Sequence, residues 1–251
     1  HSAAIWETFG EHRNVGQLAG HKNAVTCISW LNPHTRLLVS GSADGTLIMW
    51  NTLTGERYRR LRGHRGIIND IACTRAGNGC FASASDDGRV LFWDAESRYP
   101  VDSLEFGYPI TCIEFSDDAS LLFVGGVDNA IHAMDLATKN RQYSLLGHKD
   151  TVASLALSHA GTRLVSSGLD DSVRVWDVQP FAAAIPAQQP GVPQKSARLI
   201  RTLDGMASGF ESLLIKARWS PDDEFVACGS ADHTSNVWKY VNKHPSGCIF
   251  Q

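Results

Sequence analysis

The residues that most resemble catalytic machinery come in sets. His21, Ser40 or Ser42, Asp44 and Trp50 form one, His64, Ser83 or Ser85, Asp87 and Trp93 a second, and His148, Asp170 and Trp176 mark a third. Taken alone, a His with a Ser and an Asp is the chemistry of acyl transfer, in which a carboxylate orients the imidazole that withdraws the hydroxyl proton. A nucleophilic triad is built once per site. Here each His precedes its Asp by 22 or 23 residues and each Asp precedes its Trp by six, again and again along the chain. Such repetition points to architecture, with each buried polar atom finding a partner rather than being left unsatisfied. Phosphate-binding glycine loops, a Gly-x-Ser-x-Gly elbow and a His-Glu-x-x-His zinc helix are all absent. Paired acids such as Asp86-Asp87, Asp117-Asp118, Asp170-Asp171 and Asp222-Asp223 fall in turn signatures, where Asp serves local hydrogen bonding. The six cysteines form no Cys-x-x-Cys pair, and Cys27 and Cys112 read as small reduced core residues. The expectation is therefore no enzyme, no cofactor and no metal.

The elements that must hold these sets follow from a repeat. Trp6, Trp50, Trp93, Met134, Trp176 and Trp238 are spaced by 44, 43, 41, 42 and 62 residues, and Asp44, Asp87, Asp128, Asp170 and Asp232 each lie six residues before the last five. Gly20-His21, Gly63-His64 and Gly147-His148 open their units. Between the markers run short segments with the period of two of half-buried strands, such as 24–30 and 36–40, separated by Gly, Pro, Asn and Asp clusters. The chain reads as all-β, in four-strand units.

These residues resemble the WD-repeat β-propeller family, in which Gly-His opens a unit and Trp-Asp closes its third strand. The resemblance implies that the Asp accepts from the His, which is linked through a hydroxyl to the Trp indole N–H. Phe106-Gly107-Tyr108 and Met134 in the third full unit, and Gly205-Met206 in the fifth, depart from the pattern and should lack the complete network. His1-Ser2 match His233-Thr234, and Cys248 to Gln251 fall where a fourth strand would run. The expectation is five full blades with two partial ones from a seven-bladed parent, residues 1–251 forming a single propeller domain with an incomplete ring. A proline-rich loop at about 180–200, with four prolines, interrupts it and cannot be a central strand.

Of the 251 residues 43% are hydrophobic and 20% charged, enough for a sizeable core, and no apolar run approaches the roughly 18 to 20 residues of a membrane span. The first residues lack the features of a secretory leader, so a nuclear or cytosolic compartment is expected. A net charge of −3 gives no global pull onto nucleic acid, so any RNA phosphate contact must be local. The strongest local charge is the run 57–65, with Arg57, Arg59, Arg60, Arg62 and Arg65. It reads either as a charge-protected edge strand or as a stripe for phosphate or an acidic partner. Met206 and Phe210, on an extended loop, are candidates for partner contact, the alternative being that they tuck onto the next blade.

Within the family, the tract Val175-Trp176-Asp177-Val178-Gln179-Pro180-Phe181, with 125–131 and 214–222, resembles WD-repeat subunits of the U5 small nuclear ribonucleoprotein. The longer insertion after Phe181, Met134 and Lys239 depart from them. This resemblance implies a non-catalytic nuclear scaffold of the spliceosome, beside the large central scaffold protein and the helicase and GTPase subunits of the U5 particle, acting on no small-molecule substrate and no membrane. The competing reading is an adaptor elsewhere, a ubiquitin-ligase substrate receptor or a chromatin-associated subunit. Glu96, Ala137 and Gln179 stand where Trp-Asp-x-Arg receptors carry Arg, which disfavours the first of these.

Overall fold

A computed structural model describes residues 2–7, 9–32, 36–76, 79–180, 198–209, 212–240 and 249–250. These residues contain strands, turns and one 3-10 turn, Ser212–Leu214, with no α-helix. The first strands are β1 (Ser2–Trp6), β2 (Asn14–Ala19), β3 (Val25–Asn32), β4 (Leu37–Ser42), β5 (Thr46–Asn51) and β6 (Arg57–Arg62). β1 and β2 form a two-stranded sheet, and β3-β4-β5-β6 make the first of five four-stranded antiparallel sheets. The second spans Ile68–Cys73 to Asp102–Glu105, the third Ile110–Phe115 to Arg141–Leu146, the fourth Val152–Leu157 to Leu199–Leu203 and the fifth Arg218–Trp219 to Ile249–Phe250. Ile249 pairs with Trp238 and Phe250 with Val237, so the tail supplies the fourth strand of the fifth sheet. Within every four-stranded sheet sequence neighbours are spatial neighbours, as the short turns between alternating segments require.

Two compact units divide the chain, 1–113 and 114–251, and the division falls inside the strand Ile110–Phe115. In the first unit, one face of β4–β6 packs Val39, Leu47, Met49 and Leu61 against Ile68, Phe81, Leu91 and Trp93 of the second sheet. The opposite face packs Leu38, Ile48 and Trp50 on Leu18, Ala3 and Ile5 of the two-stranded sheet. In the second unit, Val165, Val173, Val175 and Leu203 of the fourth sheet meet Val226, Cys228 and Trp238 of the fifth. Sheets with two buried faces explain the near-continuous burial of strands such as β4 and Val152–Leu157. Cys27 and Cys112 are buried, each accepting from the hydroxyl of the preceding threonine.

The pairing of third and fourth strands slips by one residue at the same place in several sheets: between Met49 and Trp50, Ala133 and Met134, and Val175 and Trp176. β1 and β2 slip likewise between Ile5 and Trp6. Such a bulge changes which face the following side chains occupy. In β6 it puts Arg57, Arg60 and Arg62 opposite Trp50, Ile48 and Thr46, while Arg59 and Leu61 lie opposite Met49 and Leu47.

Candidate functional site

The three His/Asp/Trp sets converge on three buried chains of hydrogen bonds. In the first sheet the Trp50 indole Nε1–H donates to Ser40 Oγ at 2.8 Å, and Ser40 Oγ lies 2.8 Å from His21 Nε2. His21 Nδ1 is 3.2 Å from Asp44 Oδ2. The second sheet repeats this with Trp93 and Ser83 at 2.8 Å, Ser83 and His64 at 2.7 Å, and His64 and Asp87 at 3.0 Å. The fourth does so with Trp176 and Ser166 at 2.8 Å, Ser166 and His148 at 2.7 Å, and His148 and Asp170 at 2.9 Å. With Nδ1–H donating to the carboxylate, Nε2 accepts from the serine O–H, whose oxygen in turn accepts from the indole. Ser42 and Ser85 do something else, accepting from the backbone N–H of Asp44 and Asp87 at 3.1 and 3.2 Å.

The glycine before each His has a steric reason. A Cβ on Gly20, Gly63 or Gly147 would meet the outer edge of its own sheet's indole, Trp50, Trp93 or Trp176, at 3.0, 2.9 and 3.1 Å. The backbone that delivers the imidazole therefore lies directly on the ring that the imidazole serves. Burial, partly offset by the hydrogen bond and charge of the Asp, holds all three imidazoles below their usual pKa. Burial alone would raise the carboxylates, but hydrogen bonds outweigh it: Asp44, bonded by Thr46, Lys22 N–H and His21, is brought down to about 2. Asp87 and Asp170 are lowered in the same way. A neutral His beside an ionised Asp could in principle activate a serine, yet Ser40, Ser83 and Ser166 are at most 1% exposed and their oxygens are already engaged by the indoles.

The third sheet, which lacks Gly-His and Trp, substitutes a different pair. His132, in its third strand, sets Nε2 2.6 Å from Asp128 Oδ2 and Nδ1 2.8 Å from Ser144 Oγ. The sequence held a cue, a His four residues after the turn Asp, on a face that alternation buries. In the fifth sheet the Trp238 indole donates to the backbone carbonyl of Asp204 at 3.1 Å, and Asp232 accepts from Thr234. Among the described residues no group of three or more His, Cys, Asp or Glu side chains is placed to hold a metal ion.

Of the residues expected to contact a partner, Met206 is corrected: it is 6% exposed, packed in the core of the fourth and fifth sheets, with Cys228 Sγ 3.5 Å from its sulfur. Phe210 lies outside the described residues, as do 181–197 of the insertion. The insertion's two ends are clamped together. Asp177 N–H donates to Arg198 O at 2.8 Å, and the Arg198 guanidinium donates to the carbonyls of Asp177 and Gln179 at 3.2 and 2.8 Å.

The arginines of β6 split into two kinds. Arg59 donates to the carbonyls of Ala95 and Ser97 at 2.8 and 3.1 Å, and Arg60 donates to Gly20 O. Arg57 and Arg62 are exposed. Together with Tyr58, Lys22 and Arg98 they line a groove of about 790 Å³. Lys22 and Arg98 escape any reading of the linear run because folding alone brings them beside it.

Comparison with known proteins agrees with this geometry. The WD domain, G-beta repeat family matches residues 12–51, 55–94, 100–133, 139–177 and 198–239. The chain belongs to the WD40 repeat family, and its fold class is the all-β WD-repeat propeller. It is similar to the pre-mRNA-splicing factor cwf17 of Schizosaccharomyces pombe, 33% identical over 93% of this chain and 65% of the relative. It is also similar to the U5 small nuclear ribonucleoprotein 40 kDa protein of Dictyostelium discoideum, 30% identical over 98% of this chain and 66% of that protein, and of Homo sapiens, 35% over 90% and 72%. The chain thus spans about two thirds of the length of these curated relatives.

Proposed function

We propose that the chain is a non-catalytic scaffold of the U5 particle and the spliceosome, acting in the nucleus in pre-mRNA splicing. The observation that carries this reading is identity of 30 to 35%, sustained over at least 90% of the chain, to proteins named as splicing and U5 components. The chemistry of the site supports a non-enzymatic role, because the serines, histidines and aspartates of the repeated sets are spent on one another inside the sheets. We assign these sets to holding each sheet's opening loop against its own tryptophan, within a single WD-repeat domain. Protein partners would be the large central scaffold and the helicase and GTPase subunits of the same particle. A rigid sheet framework presents its loops with little reordering, which lowers the entropic cost of association.

The test is capture of the tagged chain from nuclear extract, with and without RNase, read by mass spectrometry. Recovery of U5 proteins after RNase supports direct protein contact. Recovery of a ubiquitin ligase or a chromatin complex in their place would overturn the assignment.

A further inference from the structure

We infer that the groove at β6 is a binding site for the sugar-phosphate backbone of single-stranded RNA. It deepens the splicing assignment by naming a second class of partner, but the binding itself depends only on the groove and is tested on the isolated chain.

The four arginines of β6 look equivalent in sequence and are not equivalent in structure. Arg59 and Arg60 are half-buried and serve the fold, each donating to backbone carbonyls outside its strand. Arg57, Arg62, Lys22 and Arg98 are exposed, and among the described residues no carboxylate pairs with any of these four side chains. No acidic side chain lines the groove either. A fold that needed charge only to protect an edge strand would place it on that strand. Here Lys22 follows His21, and Arg98 stands in the turn after the strand Arg89–Asp94, so a loop, a strand and a turn well separated in the chain bring cations to one space. Like charges so gathered repel each other until an anion arrives.

Geometry separates the two anions that could fill such a space. An acidic peptide adding to the free edge of β6 would pair along that strand and display its carboxylates in the strand's own period. Arg57 and Arg62 lie on the strand, but Lys22 and Arg98 flank it, next to the Gly20 and Ser97 carbonyls that Arg60 and Arg59 reach from opposite faces of β6, so the unpaired cations also extend across the strand. A phosphodiester chain carries a charge at every residue and can cross the strand, and guanidinium groups hold its oxygens in pairs. The Tyr58 ring, 53% exposed in the groove wall, has the Arg59 guanidinium 5.3 Å from its centroid and offers a face on which a base can stack. A volume of about 790 Å³ exceeds what a lone phosphate requires.

The experiment is fluorescence anisotropy of a labelled oligouridylate of about twelve nucleotides, titrated with the chain at several salt concentrations. A poly-glutamate peptide of equal charge is the competitor. The wild type should bind the RNA, and the peptide should displace it poorly. The fourfold variant K22Q/R57Q/R62Q/R98Q should bind about tenfold or more weakly, with a plot of log K against log salt shallower by about three, since each lost phosphate contact on a single strand removes roughly 0.7. Its melting temperature should stay at the wild-type value, because these side chains hold nothing in place, whereas R59Q/R60Q should melt lower. An unchanged salt slope in the fourfold variant, absence of binding by the wild type at low salt, or preference for poly-glutamate would each overturn the RNA site. None of these results bears on which proteins the chain captures from nuclear extract, so the two readings fail separately.

Discussion

Replacing Asp87 with alanine removes the carboxylate of one of the buried networks. The carboxylate accepts from His64 Nδ1–H at 3.0 Å and from the backbone N–H groups of Arg65 and Arg89 at 2.9 and 3.1 Å. The His64 side chain has 0% exposure, so its ring N–H loses a partner that solvent cannot replace without entering the vacated space. Stranding one buried donor costs about 1–3 kcal/mol. The Arg65 amide can turn to water and the Arg89 amide only in part, which brings the expected loss to about 2–4 kcal/mol. A tautomer switch would let His64 donate to Ser83, but that oxygen already accepts from Trp93 and its own proton would then lose its acceptor, so the relief is partial. For a chain of this length the loss corresponds to a fall of about 4–16 °C in melting temperature. Circular dichroism melts at neutral pH measure it directly. Asp87→Asn, which keeps an acceptor oxygen and the volume, should lose less than half as much. A melting temperature for Asp87→Ala within about 1 °C of wild type would refute the assignment of the His/Ser/Asp/Trp chain to stability.

Acid should weaken the protein in two stages. Because burial keeps His21, His64 and His148 neutral in the folded state, only the unfolded chain gains protons as pH first drops below about 6.5, and stability falls from there. The lowered Asp44, Asp87 and Asp170 stabilise the fold above the ordinary carboxylate range near 3.9 and lose that contribution as pH falls through their folded values. A urea midpoint that stays flat between about pH 7 and pH 5 would contradict the first stage. Met206→Ala should cost about 2–5 kcal/mol through the cavity it leaves beside Cys228 and Trp238. Full stability in that variant, with lost partner capture, would return Met206 to the surface. Exchanging residues 181–197 for a short Gly/Ser linker should leave the melt within about 1 kcal/mol of wild type, since Arg198 already ties the two ends and loop closure depends weakly on length. An insoluble product would show that those residues pack into the fold.

The repeat, the strands and the identity of each buried set were legible because their spacing is dictated by backbone geometry that every sheet shares. The serine was not. Ser40 and Ser42 fall on one face of β4, and alternation cannot choose between hydroxyls two residues apart; the indole of Trp50 reaches only Ser40. For Met206 the loop left partner contact and packing both open, because its place beside Cys228 is made by a strand more than twenty residues later. The arginines were visible as a run but not as two kinds, because Arg59 and Arg60 are set apart by the carbonyls of Ala95, Ser97 and Gly20, which only folding brings within their reach. His132 was missed because the family pattern directs attention to the start of the unit, where the third sheet has Phe106-Gly107-Tyr108.

The uneven provision of these networks sets an order of local opening. In the first, second and fourth sheets a separation of the first turn from the third strand must break an indole, a hydroxyl and an imidazole bond together, so amide protons there should exchange with solvent only through large, costly fluctuations. The fifth sheet has a first strand of two residues, Arg218–Trp219, and an indole tied to a single backbone carbonyl. Its amides should label with deuterium earliest among the four-stranded sheets. Proteolytic nicking and thermal fraying would begin there, and a partner that clasped this sheet would slow exchange most at the place where the chain has least of its own to hold it.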